Sequence, residues 1–228
     1  MSFFSGKNIL VIGASGGLGQ VFCRELSSQG ATVIGSVRSE DKFSEIQQIS
    51  SFQKIVDLAD SSSINAFLEE SAASDLNIDG LIVAAGVVGF GQATETDSSD
   101  FDLMMKINAT GTIRLITGMV KHLEAAESPF VITLSGVIAE SPMAGLSAYS
   151  ASKAALHAYS VAAGREFRKL GIRWIDARPG HTNTGLSTHP AFGVSPSFGE
   201  GLLPEAVVRR VLEAIETGER DLPSSAFN

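Results

Sequence analysis

Basic residues and cysteine are both scarce in this sequence. Of 228 residues, 17 are Lys or Arg against 25 Asp or Glu, a formal net charge of -8. That balance excludes a surface built for nucleic acid or anionic membrane, because either needs clustered cations to neutralise phosphates. The single cysteine, Cys23, has no partner in the chain for a disulfide, and the four histidines fall at no metal-ligand spacing, so no metal is expected. No apolar run approaches the ~20 residues that cross a bilayer, and the N-terminal MSFFSGKN is too short and polar for a secretory signal. A cytoplasmic protein with no nucleic-acid or membrane partner is expected. Repeats and low-complexity linkers are missing too. With 44% hydrophobic residues the chain can fill a sizeable core, so residues 1–228 are expected to form a single domain.

What is present is an alternation. Short β-branched runs begin at Asn8 (NILVI), Ala31 (ATVIGSV), Gln53 (QKIV), Gly80 (GLIVAA), Pro129 (PFVITL) and Ile172 (IRWIDA). Helical periodicity fills Leu18 to Ser28, Ser61 to Ala73, Phe101 to Leu123 and Ala148 to Leu170, and Pro204 opens a further helix to about Thr217. Continuous apolar strands separated by helices predict an α/β fold, a doubly wound parallel sheet of Rossmann type with helices on both faces. The long irregular stretch is Gly185 to Leu203, and a structureless loop of that length predicts a substrate lid at about 185–203.

Between the first strand and first helix lies ILVIGASGGLGQVF, with Gly13, Gly17 and Gly19. Glycines there let the backbone approach a pyrophosphate, and the helix N-terminus favours its charge, although glycine-rich turns are also common for purely steric reasons. The spacing Gly-x-x-x-Gly-x-Gly resembles the short-chain dehydrogenase/reductase family, and the likeness runs nearly the length of the chain. Asp57 in IVDLAD, VAAG ending at Gly86, Asn108 in KINATG, Tyr149 and Lys153 as Tyr-x-x-x-Lys, and Pro179, Gly180 and Thr184 in RPGHTNT match its ordered motifs. The departures are Ile12 before the first glycine, Ala84 in the fourth-strand motif, and a C-terminus that puts the last strand in doubt. The resemblance implies an NAD(P)-dependent oxidoreductase. Its cofactor would contact Gly13, Ser15, Gly17, Leu18, Gly19, Arg38, Asp57, Leu58, Ala85, Gly86, Pro179, Gly180, Thr182 and Thr184, with Tyr149 and Lys153 reaching the nicotinamide side.

The turn after the second strand reads SVRSED. A carboxylate there would hold the ribose hydroxyls of NAD, whereas an arginine neutralises the extra phosphate of NADP. The resemblance would put the NAD-selecting Asp at Val37, and Arg38 and Ser39 follow, so NADP(H) is expected over NAD(H), which stays possible. Against this, Gly16 stands where NADP-linked relatives often carry a second basic residue, and a lone arginine can be a solvated surface side chain.

Moving hydride to or from a carbonyl carbon requires proton transfer at its oxygen. Tyr149 can serve, with Lys153 one helical turn on favouring the phenolate. Tyr and Lys four apart are common on helices, and Asn108 alone would read as a cap; the ordered set turns both into catalytic candidates. By resemblance, Lys153 also holds the nicotinamide ribose and Asn108 supports a water linking Lys153 to solvent. The substrate-oxygen donor in the family lies thirteen residues before the tyrosine, which here is Gly136; Ser135 precedes it. Either the loop is one residue longer and Ser135 points into the site, or the hydroxyl is lost. Neighbouring strand residues face opposite sides, so the two readings are sharply distinct. The expectation is the first, giving a catalytic set of Asn108, Ser135, Tyr149 and Lys153. His157 reads as a packing or solvated residue, and His181, beside the turn, as either a substrate contact or a surface residue.

The loops after strands four, five and six contain neither Lys nor Arg, and offer Val87, Val88, Phe90, Val137, Ile138, Met143, Leu146, Leu186, Phe192, Val194 and Phe198, which either line a substrate pocket or pack the loops and a subunit contact. An anionic substrate would be buried there unpaired, at several kcal/mol. The expected substrate is a neutral, largely apolar ketone, aldehyde or alcohol. A non-catalytic NADP(H)-sensing regulator on the same fold is the alternative. The resemblance also implies a homodimer or homotetramer paired through the long helices.

Overall fold

The computed structural model describes residues 2–74 and 77–227. Six strands, β1 (Asn8–Ile12), β2 (Thr32–Val37), β3 (Phe52–Ile55), β4 (Gly80–Val83), β5 (Phe130–Leu134) and β6 (Arg173–Ala177), form one parallel sheet in the order β3-β2-β1-β4-β5-β6. Its helices are α1 (Gly17–Ser28), α2 (Ser61–Ala73), α3 (Ser98–Met105), α4 (Thr112–Glu124), α5 (Ser147–Phe167) and α6 (Pro204–Thr217). This is the doubly wound architecture expected of the sequence, and its order reverses between β1 and β4, where such sheets open a ligand crevice at the carboxyl ends of the strands.

Side-chain alternation builds the two faces. Ile9 and Val11 of β1 pack with Phe22 and Leu26 of α1 and Val208 and Val211 of α6. Leu10 and Ile12 pack on the other side with Leu115 and Met119 of α4 and Ala163 and Phe167 of α5. Both sets are buried, which is why β1 reads as an unbroken apolar run; each such side chain contributes about 1.5–3 kcal/mol. The same alternation puts Val131 on the α5 side and Ile132 on the α1/α6 side, and it fixes which way residues at the end of β5 must point.

Two features depart from simple periodicity. The helix read from Phe101 to Leu123 is broken by a π-helical turn, Lys106–Gly111, between α3 and α4. Gly111 there lies so close to the Leu58 carbonyl that a Cβ would sit 2.1 Å from its oxygen. Beyond β6 an isolated parallel bridge joins Ala177 to Leu222, and no further strand occurs among the described residues. Arg178 clamps this tail by donating to Glu140 and Asp221.

Candidate active site

Where β1 gives way to α1, the three glycines are required by contact. Gly13 has φ +79°, and a Cβ on it would lie 2.7 Å from the Ala85 backbone; one on Gly19 would lie 2.0 Å from the Gly13 carbonyl oxygen. A Cβ on Gly17 would strike the Thr184 carbonyl at 2.6 Å. The structure thus brings Gly13, Gly17, Gly19, Ala85 and Thr184 together above the strand ends. The result is a cradle of bare backbone at a helix N-terminus, which fits a dinucleotide pyrophosphate. Ser15 and Leu18 are half-buried along it, and Pro179 and Gly180 follow the end of β6. Thr182 turns back on this segment, its hydroxyl donating to the Gly180 carbonyl. Asp57 is half-buried beside buried Leu58, and one of its carboxylate oxygens accepts the Ala59 amide. Arg38 is exposed at the end of β2, with no hydrogen bond or ion pair among the described residues. Ser39 beside it donates to Asp41 instead of facing outward as a free hydroxyl.

The second cluster lies where β4, the π-turn and α5 meet. Asn108 is buried; its Oδ1 accepts the Val87 amide at 2.9 Å, and its Nδ2 donates to the Val87 carbonyl at 2.8 Å and to Ser152 Oγ at 3.0 Å. Three of the four hydrogen-bonding positions of that amide are therefore spent on bracing the loop after β4 against α5. A Cβ on Gly86 would lie 3.2 Å from Asn108 Oδ1 and 3.3 Å from Lys153 Nζ, so Gly86, Asn108 and Lys153 share one small space. Lys153 Nζ donates to the Leu134 carbonyl at 2.7 Å and stands 5.9 Å from the centre of the Tyr149 ring. Burial brings the Lys153 ammonium down to about 8, against an upward pull from Asp176. Burial pushes the Tyr149 phenol up to about 12. At neutral pH this places a protonated phenol beside an ammonium poised to lose its proton, a pair suited to donating a proton to a carbonyl oxygen.

Ser135 does not join them. It is fully buried, and its hydroxyl donates to Asp176 Oδ2 at 2.5 Å, on the α5 face of the sheet with Thr133. The register of β5 is unchanged and Gly136 occupies the next position, with φ +75° and ψ 166°. The expectation that Ser135 turns its hydroxyl into the cleft is corrected by this geometry; strand alternation sends it the other way. Only the Pro179 carbonyl, at 3.6 Å, would be near a Cβ at Gly136, so there is room for a side chain. The backbone conformation, however, is one that essentially only glycine adopts.

Over the cleft, Val88, Phe90, Ile138 and Leu146 form a separate apolar cluster against which Tyr149 and Phe198 pack. Segment 185–203 is tied at its base by Asn183 N–H to Leu202 O and Leu202 N–H to His181 O, and at its tip by Ala191 N–H to Val88 O and Phe90 N–H to Phe192 O. His181 stacks on Phe198 at 4.7 Å between ring centres, so it belongs to this wall more than to open surface. One polar residue, Asp176, escaped the sequence reading, and His157 was read without its partner. Asp176 gathers Thr133, Ser135 and His157, and His157, expected to pack or hydrate, has its Nδ1 2.8 Å from the carboxylate. The usable signal was the carboxylate itself, set in an otherwise apolar strand where an unpaired charge is too costly to bury.

The chain matches the short chain dehydrogenase family model over residues 7–190. It belongs to that family. Members with similar sequences include an uncharacterized oxidoreductase of Staphylococcus epidermidis, 28% identical over 205 residues that make up 89% of each chain. Another is the cyclic-di-GMP-binding biofilm dispersal mediator protein of Escherichia coli, 29% identical over 196 residues, 85% of this chain and 79% of the other. Among solved structures, a short chain dehydrogenase of Burkholderia cenocepacia in complex with NADP superimposes with a TM-score of 0.83 at 22% identity, covering 97% of this chain and 89% of that one. No helix among the described residues is long and apolar enough to cross a membrane, and no group of three potential metal ligands occurs among them.

Proposed function

We propose that this short-chain dehydrogenase is an NADP(H)-dependent oxidoreductase that interconverts a neutral, largely apolar ketone or aldehyde with its alcohol. The observation that carries the reading is the convergence of Lys153, Asn108 and Gly86 in one buried space, with Tyr149 a turn away and facing an apolar wall. Tyr149 would give its proton to the substrate oxygen in the reductive direction, Lys153 would hold the ribose and favour the phenolate left behind, and Asn108 would brace both. Bound NADPH would supply the hydride; the glycine cradle with Thr182 and Thr184 would hold it. Segment 185–203 would act as the lid, and α4 with α5 would form the pairing face of a homodimer or homotetramer.

Arg38 supports NADP(H), since its guanidinium is exposed at the end of β2 and uncommitted among the described residues. Arg38→Ala is expected to weaken NADPH binding about 10- to 100-fold, the value of one charge-assisted contact, and to leave NADH binding unchanged. Titration of each dinucleotide by fluorescence checks this, and equal losses for both would remove the phosphate assignment.

A second reading is favoured by one observation. Ser135 is committed to Asp176 and Gly136 carries no hydroxyl, so the cleft lacks the donor that would stabilise a developing oxyanion, a term worth about 2–4 kcal/mol. A non-catalytic NADP(H)-sensing regulator needs no such donor. Following NADPH absorbance against a panel of neutral carbonyls separates the two: substrate-dependent oxidation supports the enzyme, while tight binding with no oxidation on any member supports the sensor.

A further inference from the structure

Asp176 is the only buried carboxylate among the described residues. Its Oδ1 accepts the Thr133 hydroxyl at 2.8 Å, and its Oδ2 takes the Ser135 hydroxyl at 2.5 Å with His157 Nδ1 at 2.8 Å. Thr133 is held in turn by Ser160 of α5 and the Trp174 indole of β6. Arg178 is the one guanidinium near, 3.9 Å from Oδ2, but its strong contacts go to Glu140 and Asp221. Thr133 and Ser135 flank Leu134, whose carbonyl holds Lys153 Nζ, and His157 lies one helical turn after Lys153 on α5. One carboxylate therefore grips both elements that place the ammonium: the end of β5 from below and the lysine's own helix from the side. A buried charge with that many donors persists only where the surroundings hold it in place.

We infer that Asp176 is a positioning residue for Lys153, fixing the β5 end and the α5 turn that hold the ammonium and supplying the buried negative charge that keeps it protonated. The groups around Asp176 are Thr133 of β5 and Ser135 just after it, His157 of α5, and Arg178 just after β6, while Lys153, one turn before His157, feels its charge. Lys153 is the one among them buried without a carboxylate hydrogen-bonded to it. Its downward displacement by burial is opposed by Asp176 and by no other group. Ser135 thereby acquires a use: its hydroxyl was given to this carboxylate and lost to the cleft.

The inference rests on the proposed oxidoreductase reading only for its activity readout, so the decisive measurement is made without substrate or cofactor. Urea unfolding of the free protein is followed from pH 6 to pH 11 for wild type, Asp176→Asn, Lys153→Met and the double variant. The difference between the proteins with and without Lys153→Met isolates the lysine's pH dependence in each background. With Asp176 intact that difference should begin to change near pH 8. In the Asp176→Asn background the onset should fall by about one pH unit or more, the usual effect of removing a nearby opposite charge. If a carbonyl substrate is found, the alkaline limb of kcat/KM should move down by the same amount. An unmoved onset, with stability or turnover merely lowered at every pH, would overturn the inference and leave Asp176 as a packing feature. Should Asp176→Asn prevent folding, Asp176→Ser, whose neutral hydroxyl can join the Thr133–Ser135 pair, is read in the same way. No turnover by wild type on any carbonyl, together with a shifted onset, would count against the enzyme reading and not against this one.

Discussion

Tyr149→Phe is expected to lower the rate of carbonyl reduction by about 10²- to 10⁴-fold while changing NADPH affinity little. The substitution removes one oxygen and leaves the ring packed against Val88, Phe90, Ile138 and Leu146, so stability should be nearly unaffected. The phenol faces the apolar wall and is protonated at neutral pH, burial having pushed it up to about 12, so its oxygen carries a proton where an apolar carbonyl would lie. Loss of the oxygen therefore removes the proton without disturbing the wall. The measurement is single-turnover NADPH oxidation for both proteins beside direct dinucleotide binding. Equal turnover in the two would place the proton donor elsewhere, and zero turnover in both with intact binding would favour the sensor reading.

Against that outcome stands the missing donor at Gly136. A short-chain dehydrogenase with Ser135 turned away should be a slow enzyme on simple ketones, by roughly the 2–4 kcal/mol an oxyanion donor contributes. Restoring a hydroxyl by Gly136→Ser is not a simple repair. At φ +75° and ψ 166° any L side chain is strained by about 1–3 kcal/mol, even though only the Pro179 carbonyl is near. The chain has committed its backbone here to a glycine, and Ser135 has been put to structural use one residue earlier.

That contrast shows how far the residues themselves could be read. The sheet was legible because NILVI, GLIV and FVITL are largely buried on both faces and so are almost wholly apolar, and α2 and α6 began and ended where their periodicity did. The glycine cradle was legible because steric need leaves a mark in sequence: each of Gly13, Gly17 and Gly19 faces backbone too close for a Cβ. The π-turn at Lys106–Gly111 was not, since its residues continue a helical pattern and the extra residue in the turn is set by Asn108 bonding Val87 and Gly111 meeting Leu58. Ser135 was misread for a related reason. One residue of loop length decides which face a strand residue takes, and Asp176, the partner that settles it, lies 41 residues away. Polar contacts across a sheet carry no local spacing signal, whereas backbone clashes and apolar periodicity do.

Lys153→Met separates stability from function at the same site. Lys153 is buried, and its folded-state value near 8 lies below the ordinary 10.5. Below pH 8 it is charged in both folded and unfolded chains, and the folded protein bears the cost of keeping that charge out of water. Between pH 8 and 10.5 the folded protein releases the proton first, the unfolded chain binds more protons, and stability rises with pH. Methionine of similar length has no charge to desolvate. At pH 7 the gain from the displaced titration is about 3 kcal/mol, offset by about 1–3 kcal/mol for leaving the Leu134 carbonyl without its 2.7 Å donor. The variant is expected to be as stable as wild type or more so at pH 7, and to lose that advantage steadily as pH rises past 8. Turnover should fall by about 10²-fold, since nothing else beside Tyr149 would favour its phenolate. Urea unfolding at pH 7 and pH 10 is the check: if Lys153→Met instead gained stability relative to wild type as pH rose, the buried nitrogen would not be the group being desolvated. A site that weakens its own fold to keep an ammonium in a dry cleft has a use for that charge, and the phenol one helical turn away is where the use lies.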